Sequence, residues 1–214
     1  MIQLSKRNIA IILLFIFHFI GAVGLCFDAY YSFFLPFTPF NLLFSLLLLI
    51  WANNDFSKKF FQLFLVIASL GYVVEVIGVQ TGALFGIYHY GKTLGFQLFD
   101  VPLILGVNWF LLAIATHAIV SYYSAKKWVR ILAATLVMLA LDILIEPVAM
   151  NLDFWQWEGG IVPLQNYFIW GVVSAFMQWI ICKFNLEFDS YICFGVIASQ
   201  VLFFTIQTTQ IGSF

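Results

Sequence analysis

Charge is what this sequence has least of. Asp, Glu, Lys and Arg together make up 9% of its 214 residues, against roughly 25% in a soluble globular protein. With 64% of residues hydrophobic, a soluble fold of this length could not hide its apolar surface. The formal net charge is −1 with no basic block, so a nucleic-acid partner is not expected. Cysteine is scarce too. Cys26, Cys182 and Cys193 form neither a C-x-x-C pair nor an even framework, so neither structural disulfides nor a thiolate metal site is implied. Three histidines, His18, His89 and His117, are too few for a membrane di-iron centre. His18 and His117 also fall at different depths of their helices, which disfavours a haem between them. Strands are not expected, and with them goes any glycine-rich dinucleotide fingerprint. The expected cofactor is none and the expected metal is none.

What is present is apolar sequence in long runs, at about 8 to 27, 38 to 52, 60 to 80, 101 to 123, 128 to 148, 164 to 183 and 189 to 208. A spanning helix needs about 20 apolar residues. The expectation is therefore an all-α polytopic bundle of about seven helices, forming a single integral membrane domain over residues 1 to 214. The second run is short and follows a proline-broken stretch at 33 to 39. The first run is too long for the apolar region of a signal peptide and lacks an A-x-A site, so it reads as a retained helix. Two loops, about 81 to 100 and 149 to 163, are longer than the rest and collect the unusual residues.

Short cytoplasmic loops are enriched in Lys and Arg. With the N-terminus inside, Lys6, Arg7, Lys58, Lys59, Lys126, Lys127, Arg130 and Lys183 fall on the cytoplasmic side and only Lys92 outside. The same topology, not fitted to the acids, places Asp28, Glu75, Asp100, Asp142, Glu146, Asp153 and Glu158 near the outer face. Asp55, Glu187 and Asp189 stay inside. The membrane expected is the cell membrane of a bacterium or archaeon, crossed several times.

Asp100, Asp153 and Glu158 read as solvated loop charges. Glu75 lies within the third helix, and Asp142 and Glu146, four apart on one face, lie within the fifth. An ionisable group inside a membrane helix is costly unless paired, hydrated or protonated, and so marks a functional site. The structural alternative is a carboxyl that snorkels to the interface or bonds between helices. Gly78, Gly82 and Gly86 recur every four residues and would form one flat packing ridge on a helix. Beyond them come Tyr88, His89 and Tyr90, and the later loop carries Trp155 and Trp157, then Asn166 and Trp170. An interfacial aromatic belt explains such residues. The alternative is an aromatic wall facing the acids, since ring faces attract positive charge. A protonated carboxyl beside such a wall can protonate an alkene and stabilise the cation that forms.

From about 71 to 171 the chain resembles the CruF-type carotenoid hydratases. The resemblance is carried in order by EVIGVQTGALFGIYHY, VPLILGVNWF, LDILIEPVAM, the W-x-W of Trp155 and Trp157, and VPLQNYFIW. It implies addition of water across the terminal C1=C2 double bond of an acyclic, psi-type carotenoid end, giving a tertiary alcohol without oxygen or a redox cofactor. Its implied partners are a lipid-dissolved carotenoid, water, membrane lipids and other enzymes of the carotenoid pathway. The expected catalytic residues are Glu75, Asp142 and Glu146. The expected substrate-binding residues are Tyr88, His89, Tyr90, Trp109, Trp155, Trp157, Asn166 and Trp170. Glu146 stands where many relatives are expected to carry aspartate. A lycopene-cyclase-like enzyme is the nearest rival, but its acidic pair after a proline is replaced here by Gln165 and Asn166 after Pro163. A membrane transporter, or a carotenoid-binding protein without catalysis, is also compatible with acids and aromatics gathered at one face.

Overall fold

The computed structural model describes residues 5–211. Helix α1 (Lys6–Leu25) starts where the Ser5 hydroxyl accepts from the Asn8 N–H at 3.3 Å, so a side chain satisfies one of the orphan donors of the first turn. Helix α2 (Asp28–Phe34) runs through a 3-10 turn (Leu35–Phe37) into α3 (Thr38–Asn53). The second span is therefore a 26-residue stretch, Asp28–Asn53, longer than the apolar run from 38 to 52. The prolines do not break it, because Pro36 and Pro39 sit in first-turn positions, where the missing N–H costs no hydrogen bond.

Helix α4 (Lys58–Thr81) is capped by the Ser57 hydroxyl, which accepts from the Phe60 N–H at 3.1 Å. Helices α5 (Ile104–Tyr123), α6 (Lys127–Asn151), α7 (Leu164–Phe184) and α8 (Ser190–Thr208) follow. Among the described residues, seven helical stretches are long and apolar enough to cross a membrane. The protein is a polytopic helical membrane protein. Helix α5 is the axis of the bundle, packing on α3, α4, α6, α7 and α8. It is apolar on all sides, and Phe110, Leu111, Leu112, Ala113, Ile114 and Ala115 are fully buried.

The ridge of three glycines does not form. Helix α4 ends at Thr81, and Gly82 closes it in the left-handed conformation at φ 64°, which an L side chain avoids. Gly86 lies beyond in the loop at φ 110°. Strands, not expected from the sequence, are present as short pieces: β1 (Tyr88–Tyr90), β2 (Gln97–Leu98), β3 (Val101–Pro102) and β4 (Trp155–Trp157). Strand β1 pairs antiparallel with β4, and β2 with β3. The β2–β3 hairpin also delays α5 to Ile104, three residues after the apolar run begins.

The two ends of the bundle are chemically distinct. At one, Arg7 pairs with Asp189 at 3.3 Å, and the Asp189 N–H donates to Asn53 Oδ1 at 2.9 Å. This end carries the basic residues at the starts of α1, α4 and α6 and Lys183 in the last turn of α7. At the opposite, acidic end, the β1–β4 ribbon ties the two long loops together.

Candidate active site

Glu75 lies on α4 between Gly71 and Gly78, two turns before the helix ends. It is 5% exposed. A Cβ at Gly71 would come within 2.5 Å of the Trp109 side chain. Glycine there lets α5 lie close and brings the Trp109 indole N–H to Glu75 Oε1 at 2.9 Å. The other oxygen, Oε2, accepts from the hydroxyls of Tyr88 and Tyr90, both at 2.7 Å. Side chains alternate across a strand, so these two tyrosines share one face of β1 and His89 points the other way.

The ribbon supplies the second acid in the same manner. Tyr88 pairs with Trp157 and Tyr90 with Trp155, their ring centroids 4.9 and 6.1 Å apart. The indole N–H groups of Trp155 and Trp157 both donate to Glu146 Oε2, at 3.0 and 2.8 Å. Helix α7 completes the cluster. Asn166, in its first turn, uses its two amide hydrogens on Asp142 Oδ2 and Glu146 Oε1, each at 3.1 Å. One turn on, Trp170 stacks against Trp109 with centroids 3.9 Å apart. Asp142 and Glu146 are 1% and 2% exposed. The Asp142 Oδ1 atom is buried with no hydrogen-bond partner among the described residues.

All the site residues expected from the sequence therefore meet at the acidic end of the bundle, with one exception. His89 is exposed and lies outside the cluster, because strand alternation turns it away. The three acids are buried among neutral donors, and hydrogen bonds to a carboxylate are about twice as strong as neutral ones. Burial, followed by the neighbouring Glu75, pushes the Tyr88 and Tyr90 phenols above their usual range. They remain neutral donors at ordinary pH. Among the described residues, no group of three His, Cys, Asp or Glu side chains is placed to hold a metal ion. His18 and His117 have separate partners, Leu14 O and Gln178 Oε1, each at 2.8 Å.

A cavity of about 640 Å³ borders the cluster at Trp155. Phe17, Phe34, Phe44, Phe154 and Phe203 line it, and it lies among α1, α2, α3, α5 and α8. Phe17, Ile20, Phe40 and Leu47 belong both to its wall and to the exposed outer surface of the bundle, which faces lipid in a membrane. Sequence reasoning missed this lining, since most of it comes from the first 60 residues. The helical recurrence of Phe33, Phe37, Phe40 and Phe44 is the signal that marked it.

Fold and cluster together define a membrane protein whose buried acids are capped by indole, phenol and amide donors. The chain belongs to the carotenoid biosynthesis protein family, which matches it over residues 37–207. It is similar to the bisanhydrobacterioruberin hydratase of Haloarcula japonica, at 34% identity over 109 residues. That match takes in 46% of this chain and 36% of the relative, so little more than a third of the relative's length is covered. No solved structure matches.

Proposed function

We propose that the protein is a carotenoid hydratase, adding water across the terminal double bond of an acyclic carotenoid end. The observation that carries this reading is the cluster of Glu75, Asp142 and Glu146 within the bundle, ringed by five aromatic side chains that donate to the acids. A carboxyl proton is transferred to the chain carbon of the terminal alkene, and the π electrons form the new C–H bond. The positive charge then rests on the dimethyl carbon as a tertiary cation. Water forms the C–O bond, and its surplus proton returns to a carboxylate, so one alkene and one water become one tertiary alcohol. Carboxylates and the ring faces of Tyr90, Trp155 and Trp157 lower the energy of the cation, since fixed charges and dipoles act strongly where water is scarce.

Three further features support the reading. The family is one of carotenoid biosynthesis, and the similar protein is a hydratase by name. Ligand cavities usually measure about 300–1,000 Å³, and the aromatic cavity ending at Trp155 falls in that range, with walls suited to a polyene. The basic end faces the cytoplasm of a cell-membrane protein on this proposal, which places the reaction near the outer leaflet. The substrate comes from the bilayer, and neighbouring enzymes of the pathway supply and remove it.

Expression in hosts that make lycopene or gamma-carotene tests the activity directly. The expected product is heavier than its precursor by one water, with a hydroxyl oxygen that carries label from heavy-oxygen water. A product of unchanged mass assigns cyclisation instead, and label from molecular oxygen rules out hydration.

A further inference from the structure

The three acids of the cluster are not equivalent, and the difference lies in how many donors each receives. Glu75 accepts three hydrogen bonds, from Tyr88, Tyr90 and Trp109. Glu146 also accepts three, from Trp155, Trp157 and Asn166. An ionised carboxylate is an acceptor at both oxygens, and both glutamates have both oxygens served by neutral donors. Asp142 accepts a single bond, at Oδ2 from Asn166. Its Oδ1 is buried and has no hydrogen-bond partner among the described residues.

Three ionised carboxyls buried close together repel one another, and one of them is relieved by holding a proton. Among the described residues, the one Lys or Arg side chain at this end is Lys92, and no ion pair links it to the cluster. The group that loses least by becoming neutral is the one with fewest donors. We propose that Asp142 carries the proton, on Oδ1, and is the acid that protonates the alkene, while Glu75 and Glu146 are the fixed carboxylates that stabilise the cation. An Oδ1–H without an acceptor among the described residues has no hydrogen bond to break before its proton is given to the π face of an alkene. After water adds, its surplus proton passes to Glu146, whose Oε1 shares the Asn166 amide with Asp142, and from Glu146 back to Asp142. No proton is gained or lost over the cycle. The reaction step rests on the hydratase reading; the position of the proton does not.

Infrared spectroscopy of the full chain in lipid nanodiscs at neutral pH tests the assignment. The wild type is expected to show the carbonyl stretch of a protonated carboxylic acid, moving down in heavy water. The band is expected to vanish in Asp142→Asn and to persist in Glu75→Gln. Labelling the unaltered protein with heavy-carbon aspartate shifts the band, and labelling with heavy-carbon glutamate leaves it in place, so the test survives a variant that does not fold. Asp142→Asn is expected to lower water addition roughly 100-fold or more, and Asp142→Glu to restore part of it. Absence of the band, its survival in Asp142→Asn, or a shift with labelled glutamate overturns the proposal. A present aspartate band without any hydrated product leaves the proton on Asp142 and removes the hydratase reading instead.

Discussion

The bundle holds two buried polar regions, one between α5 and α7 and one at the acidic end among α4, α5, α6 and α7, and they are built on opposite principles. Midway along, His117 donates through Nδ1–H to Gln178 Oε1 at 2.8 Å, and the Gln178 amide donates to the Ala113 carbonyl at 2.9 Å and the Thr116 hydroxyl at 3.2 Å. Gln178 is fully buried, and Thr116 and His117 are 1% and 4% exposed. The groups are neutral, they come from helices, and they satisfy each other. At the acidic end the groups are acids, most of their donors come from the loops as the β1–β4 ribbon, and Asp142 Oδ1 is left over. A buried polar group without a partner costs about 1–3 kcal/mol. The first region spends its polarity on joining helices. The second leaves one buried acid oxygen without a hydrogen bond among the described residues, beside a ribbon whose Trp155 borders the apolar cavity.

Substitutions can break this contrast. The largest effect is expected for Glu75→Gln, which removes a negative charge and turns an amide donor toward hydroxyl or indole donors. Water addition in isolated membranes should fall about 100- to 1,000-fold; a normal rate would show that Glu75 takes no part. Trp157→Phe keeps a ring but deletes the N–H on Glu146, and hydrogen bonds to charged groups are worth about 1.5–3 kcal/mol. A loss of at least about tenfold in turnover is expected, with the protein still accumulating in the membrane. Gln178→Leu should do the reverse. It should lower the thermal midpoint in detergent, in line with about 1–3 kcal/mol for the partners left unpaired, while the folded fraction turns over substrate within about twofold of wild type. The smallest effect is expected for His89→Ala: activity within about twofold, because that side chain lies on the outer face of β1. A tenfold loss there would return His89 to the site.

Much of this arrangement is legible in the chain alone. Asp142 and Glu146 are four apart, and helical periodicity puts them on one face. Trp155 and Trp157 are two apart, as are Tyr88 and Tyr90, and that spacing becomes informative once both pairs are known to be on strands. A segment read as irregular gives no reason to separate His89 from the tyrosines beside it. The four-residue spacing of Gly78, Gly82 and Gly86 matches a helix, while a left-handed φ at Gly82 is invisible to spacing. The cavity escapes a linear reading since its walls are assembled from α1, α2, α3, α5 and α8, and the phenylalanines of α1, α2, α3 and α8 by themselves read as ordinary lipid-facing residues.

The sequence by itself determined the class of protein, the number of crossings and the level of the three acids near one end. These follow from local composition: apolar runs partition into lipid, and an acid's depth is set by its distance from the helix end. The tertiary structure alone decided which donors reach which acid. Glu75 and Glu146 each take two donors from the strand that follows their own helix and a third from another helix, α5 or α7, and Asp142 receives one bond among the described residues where they receive three. That difference depends on how β1, β4, α5 and α7 meet above α4 and α6, and long-range pairing of this kind has no local signature in the chain.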